Sequence, residues 1–176
     1  MAITSINPAT GKTIKTYDEM TPEQAAAAVA QAHETWRAWR ATSFAERVKP
    51  MKKTAEMLRK RKDELAKLMA VEMGKPLMQG AAEVEKCAWA CDYYADNAEA
   101  HLAPDVIKTE GAKSYVAFEP LGVVLAIMPW NFPLWQGLSV RRACAHGRQR
   151  RRTEARLERA GLRARHRRDL QPGRLP

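Results

Sequence analysis

The chain has 176 residues, with 30 Lys and Arg against 20 Asp and Glu, and a formal net charge of +10 at pH 7. This length suits one domain with a sizeable core. No run of about 18 apolar residues occurs, which excludes a membrane-spanning helix, and the first residues lack the pattern of a secretory signal. Three cysteines without metal-type spacing fit a reducing compartment. We therefore expect a cytoplasmic protein without a metal site.

The positive charge is concentrated in one segment. Residues 137–176 contain thirteen arginines, no lysine and three acids, a balance of +10, so the 17 basic and 17 acidic residues of 1–136 cancel. Residues 137–176 contain no aromatic residue and few large aliphatic ones, so they cannot bury enough surface to offset the entropy cost of ordering. The sequence predicts a globular portion over 1–136 and a disordered, arginine-rich tail over 137–176.

Local signals predict a hairpin-like start followed by helices. Turn dipeptides within residues 6–12 lie between short β-favouring pieces. Thr21 and Gln24 form a capping box for a helix that runs to Trp39, with an apolar face that includes Val29, Ala32, Trp36 and Trp39. The two tryptophans are expected to pack in a core or an interface rather than to contact a ligand.

A second capping box, Ser43 with Glu46, predicts a helix that continues to about Glu72. Pro50 lies inside this pattern and predicts a kink or a later helix start, because proline removes one helical hydrogen bond. The cationic cluster over 52–62 could bind phosphate, but acidic residues interrupt it. A solvated helix surface is the favoured interpretation.

Gly74 suits a left-handed helix end, and Pro76 can begin a further helix that runs to about His101. Cys87 and Cys91 lie one turn apart on its apolar stripe. They could ligate a metal, but no histidine or acid is evidently aimed at them. Buried thiols are the favoured interpretation.

Two strands are predicted after this helix. Residues 114–120 alternate polar and apolar side chains, which indicates a half-exposed strand. Residues 123–128 form a continuous apolar run rich in β-branched residues, which is typical of a strand buried on both faces in a parallel sheet. Pro129 ends that run, and Asn131 follows between two aromatic residues. Ligands bind beyond the carboxyl ends of such strands.

Three motifs carry a family resemblance: Asn-Pro-Ala-Thr-Gly at 7–11, Glu-Met-Gly-Lys-Pro at 72–76, and Leu-Gly-Val-Val-Leu-Ala-Ile-Met-Pro-Trp-Asn-Phe-Pro at 121–133. Together they resemble the NAD(P)-dependent aldehyde dehydrogenases, and within that family most of all the succinate-semialdehyde dehydrogenases. The resemblance covers about residues 3–136, the N-terminal quarter to third of a typical member. It implies an incomplete α/β fold, with helical segments and the first strand of a Rossmann-like cofactor domain.

The resemblance also implies roles for individual residues. Asn131 matches the asparagine whose side-chain amide donates to the oxyanion of the thiohemiacetal intermediate. The nicotinamide end of the NAD or NADP cleft would be lined by Ile127, Met128, Pro129 and Trp130. It further implies a small-molecule aldehyde substrate and a homo-oligomer, with the strand over 114–120 in the oligomerisation element. The family's nucleophilic cysteine and general-base glutamate have no counterpart here, so we expect the 176-residue chain to be inactive and to bind the cofactor unproductively.

Two interpretations of the arginine-rich tail remain. It could be a basic arm that binds nucleic acid non-specifically through phosphates, although it lacks lysine and interleaved aromatic residues. Alternatively, a GC-rich gene read out of frame yields an excess of arginine, alanine, glycine and proline. Shifted by one base, residues 147–158 can read Ala-Gly-Asn-Ala-Ala-Val-Leu-Lys-His-Ala-Ser-Asn, which resembles the family's next segment. We therefore predict a frameshift near the junction of Gln136 and Gly137.

Overall fold

The computed structural model describes residues 3–145 and 149–156, with side chains as far as Ser139. The chain begins with the predicted hairpin, in which β1 (Ile3–Ile6) pairs with β2 (Thr13–Tyr17) in antiparallel fashion. The Asn7 side-chain oxygen accepts from the Ala9 N–H at 2.9 Å, and Gly11 has φ +67°. An asparagine-stabilised turn with a left-handed glycine therefore closes the hairpin.

Both predicted capping boxes form. Thr21 caps α1 (Pro22–Trp39), and Ser43 caps α2 (Phe44–Lys60). Because α2 begins directly after Ser43, the expected late start at Pro50 is wrong, and Pro50 lies inside the helix. The single helix predicted to Glu72 is also wrong: Arg61 (φ −100°, ψ 16°) leaves helical geometry, and α3 (Lys62–Met73) follows. Apolar spacing continues across such a break, which hides it from the sequence pattern.

The core lies between α2, α3 and α4 (Leu77–His101), which begins after the predicted left-handed Gly74 (φ +73°). Its central cluster, formed between α2 and α4, consists of Met51, Ala55, Ala88, Cys91 and Ala95. Cys87 and Cys91 are free thiols, both fully buried, and no group of residues in the described chain could hold a metal ion. Two free thiols buried in α4 match the interpretation favoured from the sequence.

A three-stranded antiparallel sheet has the order β3 (Asp105–Val106), β4 (Lys113–Pro120) and β5 (Gln149–Arg156). The strand predicted at 114–120 is β4, and it is paired along both edges. Between β4 and β5 lies α5 (Pro133–Ala145). The parts of segment 137–176 that the structure describes are therefore the end of α5 and the strand β5.

The buried strand predicted at Val123–Met128 does not form. Residues 121–129 have no regular secondary structure, and Leu125 and Ile127 are 85% and 86% exposed. No described strand pairs with this segment, so its backbone has no ladder to join. Across the described residues, no helix combines the length and apolarity needed to cross a membrane.

Candidate functional site

Asn131 lies in the short turn that joins the extended segment 121–129 to α5. Its side chain is exposed, and its Oδ1 accepts a hydrogen bond from Gln136 Nε2 at 3.1 Å. This bond fixes which end of the amide faces α5. The Asn131 Nδ2 has no acceptor among the described residues, so it is free to donate to a bound oxygen.

The backbone of the same turn is held by a buried ion pair. Lys75 and Glu83 are 7% and 4% exposed, and the Lys75 ammonium donates to the Glu83 carboxylate. It also donates to the Asn131 carbonyl oxygen at 3.0 Å and lies 4.1 Å from the centre of the Phe132 ring. The Lys75 side chain thus meets both a carboxylate and the turn that carries Asn131.

Glu83 in turn caps α5. Its Oε1 accepts from the N–H groups of Leu134 and Trp135, both at 3.0 Å. These are two of the N–H groups that an α-helix leaves unpaired at its N-terminus, where a negative charge is also favoured by the helix dipole. The carboxylate therefore serves Lys75 with one oxygen and α5 with the other.

Sequence reasoning missed Lys75 and Glu83 as parts of this site. The motif Glu-Met-Gly-Lys-Pro at 72–76 contributes to the family resemblance, which assigns no site role to Lys75. One signal was present, because Glu83 lies three residues after Gly80 and four before Cys87, on the buried face of α4. A carboxylate on an apolar helix face requires a partner, although spacing alone could not show which cation supplies it.

The four residues predicted to line the nicotinamide cleft, Ile127 to Trp130, lie directly before Asn131 in the chain. Their side chains are exposed and do not converge on an enclosed site. Trp130 instead borders a cavity of about 260 Å³ together with Leu68, Pro133 and Leu134. The five predicted site residues are consecutive in the chain. Among the described residues, no second element faces them to enclose a cofactor cleft.

These residues alone do not fit a whole dinucleotide. A phosphate group is commonly bound at a helix N-terminus, but at α5 that position is filled by the Glu83 carboxylate. The part of the chain that the structure describes thus offers one apolar edge and one amide, without a phosphate site at this helix.

An apolar cleft of about 730 Å³ lies beside the site. Its walls come from α1, α2, α5 and residues 122–124, and include Trp36, Trp39, Met51 and Leu138. The predicted apolar face of α1 is therefore incompletely covered: no residue of α1 is buried, and Val29 is 62% exposed. The expectation of packed tryptophans is met only in part, because both line this open cleft.

The cationic cluster over 52–62 forms ion pairs with α4 rather than an anion site. Lys52 pairs with Asp96 at 2.7 Å, and Arg59 pairs with Asp92 at 2.8 Å and Glu85 at 2.9 Å. The hydrogen bond to Asp96 raises the pKa of the Lys52 ammonium, and the bonds to Glu85 and Asp92 raise the pKa of Arg59. The favoured interpretation, a solvated helix surface, agrees with these partners.

Residues 1–145 match the model of the aldehyde dehydrogenase family. The chain belongs to this family. It is 48% identical over 136 residues to a probable succinate-semialdehyde dehydrogenase (NADP+) of Synechocystis sp., covering 77% of this chain and 30% of that protein. It is 47% identical over 141 residues to succinate-semialdehyde dehydrogenase (NADP+) 1 of Mycobacterium tuberculosis H37Rv, covering 78% of this chain and 31% of that protein.

Solved structures agree with this membership. The succinic semialdehyde dehydrogenase of Streptococcus pyogenes, in complex with NADP+, has a TM-score of 0.74 and 34% identity over 78% of this chain and 30% of that one. The succinate-semialdehyde dehydrogenase of Burkholderia pseudomallei has a TM-score of 0.76 and 28% identity, over 84% and 31% of the two chains.

The chain thus spans about 30% of the length of the curated relatives that it matches. It is a mixed helix and strand structure that covers the N-terminal part of an aldehyde dehydrogenase fold, which confirms the predicted fold class. Because the chain covers only this N-terminal part, the described residues lack strands that could pair with segment 121–129.

Proposed function

We propose that this chain is the N-terminal part of an enzyme that oxidises succinate semialdehyde to succinate. NADP⁺, or alternatively NAD⁺, would accept the hydride that the aldehyde carbon loses, and water would supply the second carboxylate oxygen. Support comes from the family membership and from relatives named for this aldehyde and for NADP. We further propose that the complete enzyme is a cytoplasmic homo-oligomer.

Asn131 is the residue of this chain proposed to act in the reaction. Its Nδ2 is exposed and free to donate, while Gln136 occupies its Oδ1. A fixed donor of this kind stabilises the oxyanion that forms when a nucleophile adds to the aldehyde carbon. One such donor is worth roughly 10²–10³ in kcat. The free amide, held in a turn that is anchored to the core, is the single observation that carries this role.

The 176-residue chain itself is proposed to be inactive. Aldehyde oxidation in this family requires a cysteine nucleophile and a glutamate base, as the resemblance implies. Cys87 and Cys91 are fully buried in α4, and Glu83 is committed to Lys75 and α5. None of these groups can reach an aldehyde beside Asn131.

A frameshift near Gln136 and Gly137 is proposed as the origin of the arginine-rich segment. The relatives match 77–78% of the chain, which equals the share taken by residues 1–136, although the family model extends to residue 145. High-accuracy DNA reads across the codons for Trp135 to Val140, together with transcript reads, test this directly. If one base disappears and the frame reopens, the arginine-rich segment is a sequencing artefact of an intact gene. If the base is real, the gene is broken and residues 137–176 are an accidental basic tail.

The enzyme proposal is tested with a frame-restored gene. We expect the full-length product to reduce NADP⁺ in the presence of succinate semialdehyde, and the Asn131→Ala variant to lose roughly 10²–10³ in kcat. Asn97→Ala is the matched control, because Asn97 is a half-buried asparagine on α4 whose amide, among the described residues, donates to the Tyr93 carbonyl and lies outside the Asn131 turn. A frame-restored enzyme that does not oxidise succinate semialdehyde contradicts the proposal, and so does an Asn131→Ala variant with unchanged kcat.

A further inference from the structure

The turn that carries Asn131 is anchored by two charged side chains from a distant part of the sequence. Lys75 and Asn131 are 56 residues apart, and Glu83 lies 51 residues before Leu134. Both charged groups are almost completely buried. Burying a charge is costly unless it is paired and hydrogen-bonded, so this arrangement persists only while its partners stay in place.

The contacts of the pair converge on one short segment. Lys75 contacts the Asn131 carbonyl and the face of Phe132, and Glu83 accepts from the N–H groups of Leu134 and Trp135. By contrast, the preceding residues 121–130 are almost all exposed and have no regular structure. The pair therefore fixes the position of the Asn131 turn relative to α3 and α4.

We infer that Lys75 and Glu83 are positioning residues for the oxyanion donor, an inference that rests on the proposed role of Asn131. Neither side chain would touch substrate or cofactor. Lys75 fixes the position of the turn through its hydrogen bond to the Asn131 carbonyl. Glu83 fixes the orientation of α5 through the N–H groups of the first turn of that helix. Together they hold the Asn131 amide in one place before substrate binds, so that no reorganisation is needed as the oxyanion forms.

Hydrogen–deuterium exchange on the full 176-residue chain tests the anchoring itself. The variants are Lys75→Met, which removes the ammonium, and Glu83→Gln, which keeps the shape of the side chain but breaks the ion pair. We expect the amides over 132–136 to exchange about tenfold faster or more in both variants, while the α2 amides keep their protection. Lys86→Met is the matched control, because Lys86 lies 4.1 Å from the Trp135 ring on the exposed side of α4.

Unchanged exchange over 132–136, or a uniform increase that includes α2, overturns the inference. If Lys75→Met does not fold, the double variant Lys75→Met/Glu83→Met takes its place, because it buries no unpaired charge, and its exchange over 132–136 is compared with that of the α2 amides in the same way.

In the frame-restored enzyme, Glu83→Gln should lower kcat about tenfold or more and leave KM unchanged, because only transition-state binding is weakened. An unchanged kcat there overturns the positioning role. If the unmodified frame-restored enzyme is inactive towards aldehydes, the proposed function fails, and the exchange comparison alone still decides whether the pair holds the turn.

Discussion

Arg47 shows how much one buried side chain does in this structure. It is buried, and its guanidinium donates to Thr42 Oγ1 and to the carbonyls of Trp39, Arg40 and Thr42 at 2.8 to 3.3 Å. Burial lowers the pKa of this guanidinium, yet it stays charged at any working pH. Arg47 thereby donates to carbonyls at and just beyond the C-terminus of α1 and ties α1 to α2.

We therefore expect Arg47→Met to lower the free energy of unfolding by about 1–3 kcal/mol, because the carbonyls of Arg40 and Thr42 lose the donor that Arg47 supplies. Arg37→Met is the control, since Arg37 makes only an exposed pair with Glu34 and should change stability by no more than about 0.5 kcal/mol. Urea unfolding of the two variants measures both effects. Equal midpoints for the two variants would show that the guanidinium does not hold this helix end.

At the residue scale, only part of the candidate site could be predicted from the sequence. Asn131 and the four residues before it could be named from the sequence, because their motif is long and contiguous. Gln136 lies three residues after this motif, and its bond to Asn131 Oδ1 depends on the helix α5 that contains it. Lys75 and Glu83 could not be placed, because no local pattern records which residues meet across more than 50 positions.

At the scale of elements, the N-terminus of α2 depends on pH. Hydrogen bonds from the backbone N–H and the hydroxyl of Ser43 lower the pKa of the Glu46 carboxyl. A carboxyl whose pKa is lower in the folded state contributes stability that is fully present above its unfolded pKa. That contribution is lost as the pH falls through the lowered, folded value.

We expect the unfolding midpoint of the chain to exceed that of Glu46→Gln near neutral pH, and the difference to shrink as the pH falls below about 4. Glutamine keeps an acceptor for the Ser43 N–H and does not titrate, so it isolates the charge. Urea unfolding of both proteins across this pH range provides the measurement. A gap between them that is independent of pH would mean that the carboxylate charge adds nothing to the cap.

Local elements were predictable and the longer-range ones were not. The hairpin turn, both capping boxes and the left-handed Gly74 are decided by residues within a few positions of one another, and all of them form. The buried strand at 123–128 required neighbouring strands that the described residues do not supply. Its apolar pattern predicts burial in a complete sheet, and the described part of the chain contains no such sheet.

At the scale of the whole molecule, the chain consists of two parts that differ in charge and in resemblance to the family. Residues 1–136 are electrically neutral and resemble the family throughout, whereas the excess positive charge lies entirely in 137–176. Non-specific binding of nucleic acid through that charge remains a prediction. It requires salt-sensitive retention of DNA that disappears when residues 137–176 are deleted.

The unpaired segment 121–130 should dominate the behaviour of the whole chain in solution. Its apolar side chains, Leu125 and Ile127 above all, are exposed on a backbone without regular secondary structure, which favours association between copies. We expect the 176-residue chain to be aggregation-prone, so that only part of it stays in solution. The Leu125→Lys variant should raise its soluble fraction, because a charge in such a segment opposes strand pairing.

Met78→Lys is the matched control, because Met78 is as exposed as Leu125, at 85%, but lies on the surface of α4. Sedimentation of the three proteins at equal concentration compares their soluble fractions, and only Leu125→Lys should raise it. In the frame-restored enzyme the expected order reverses: Leu125→Lys should prevent stable folding, since the segment becomes a central strand and the lysine a buried, unpaired charge, whereas Met78→Lys should be tolerated. A soluble, stable frame-restored Leu125→Lys enzyme would show that the segment stays outside the sheet even when the rest of the fold is present.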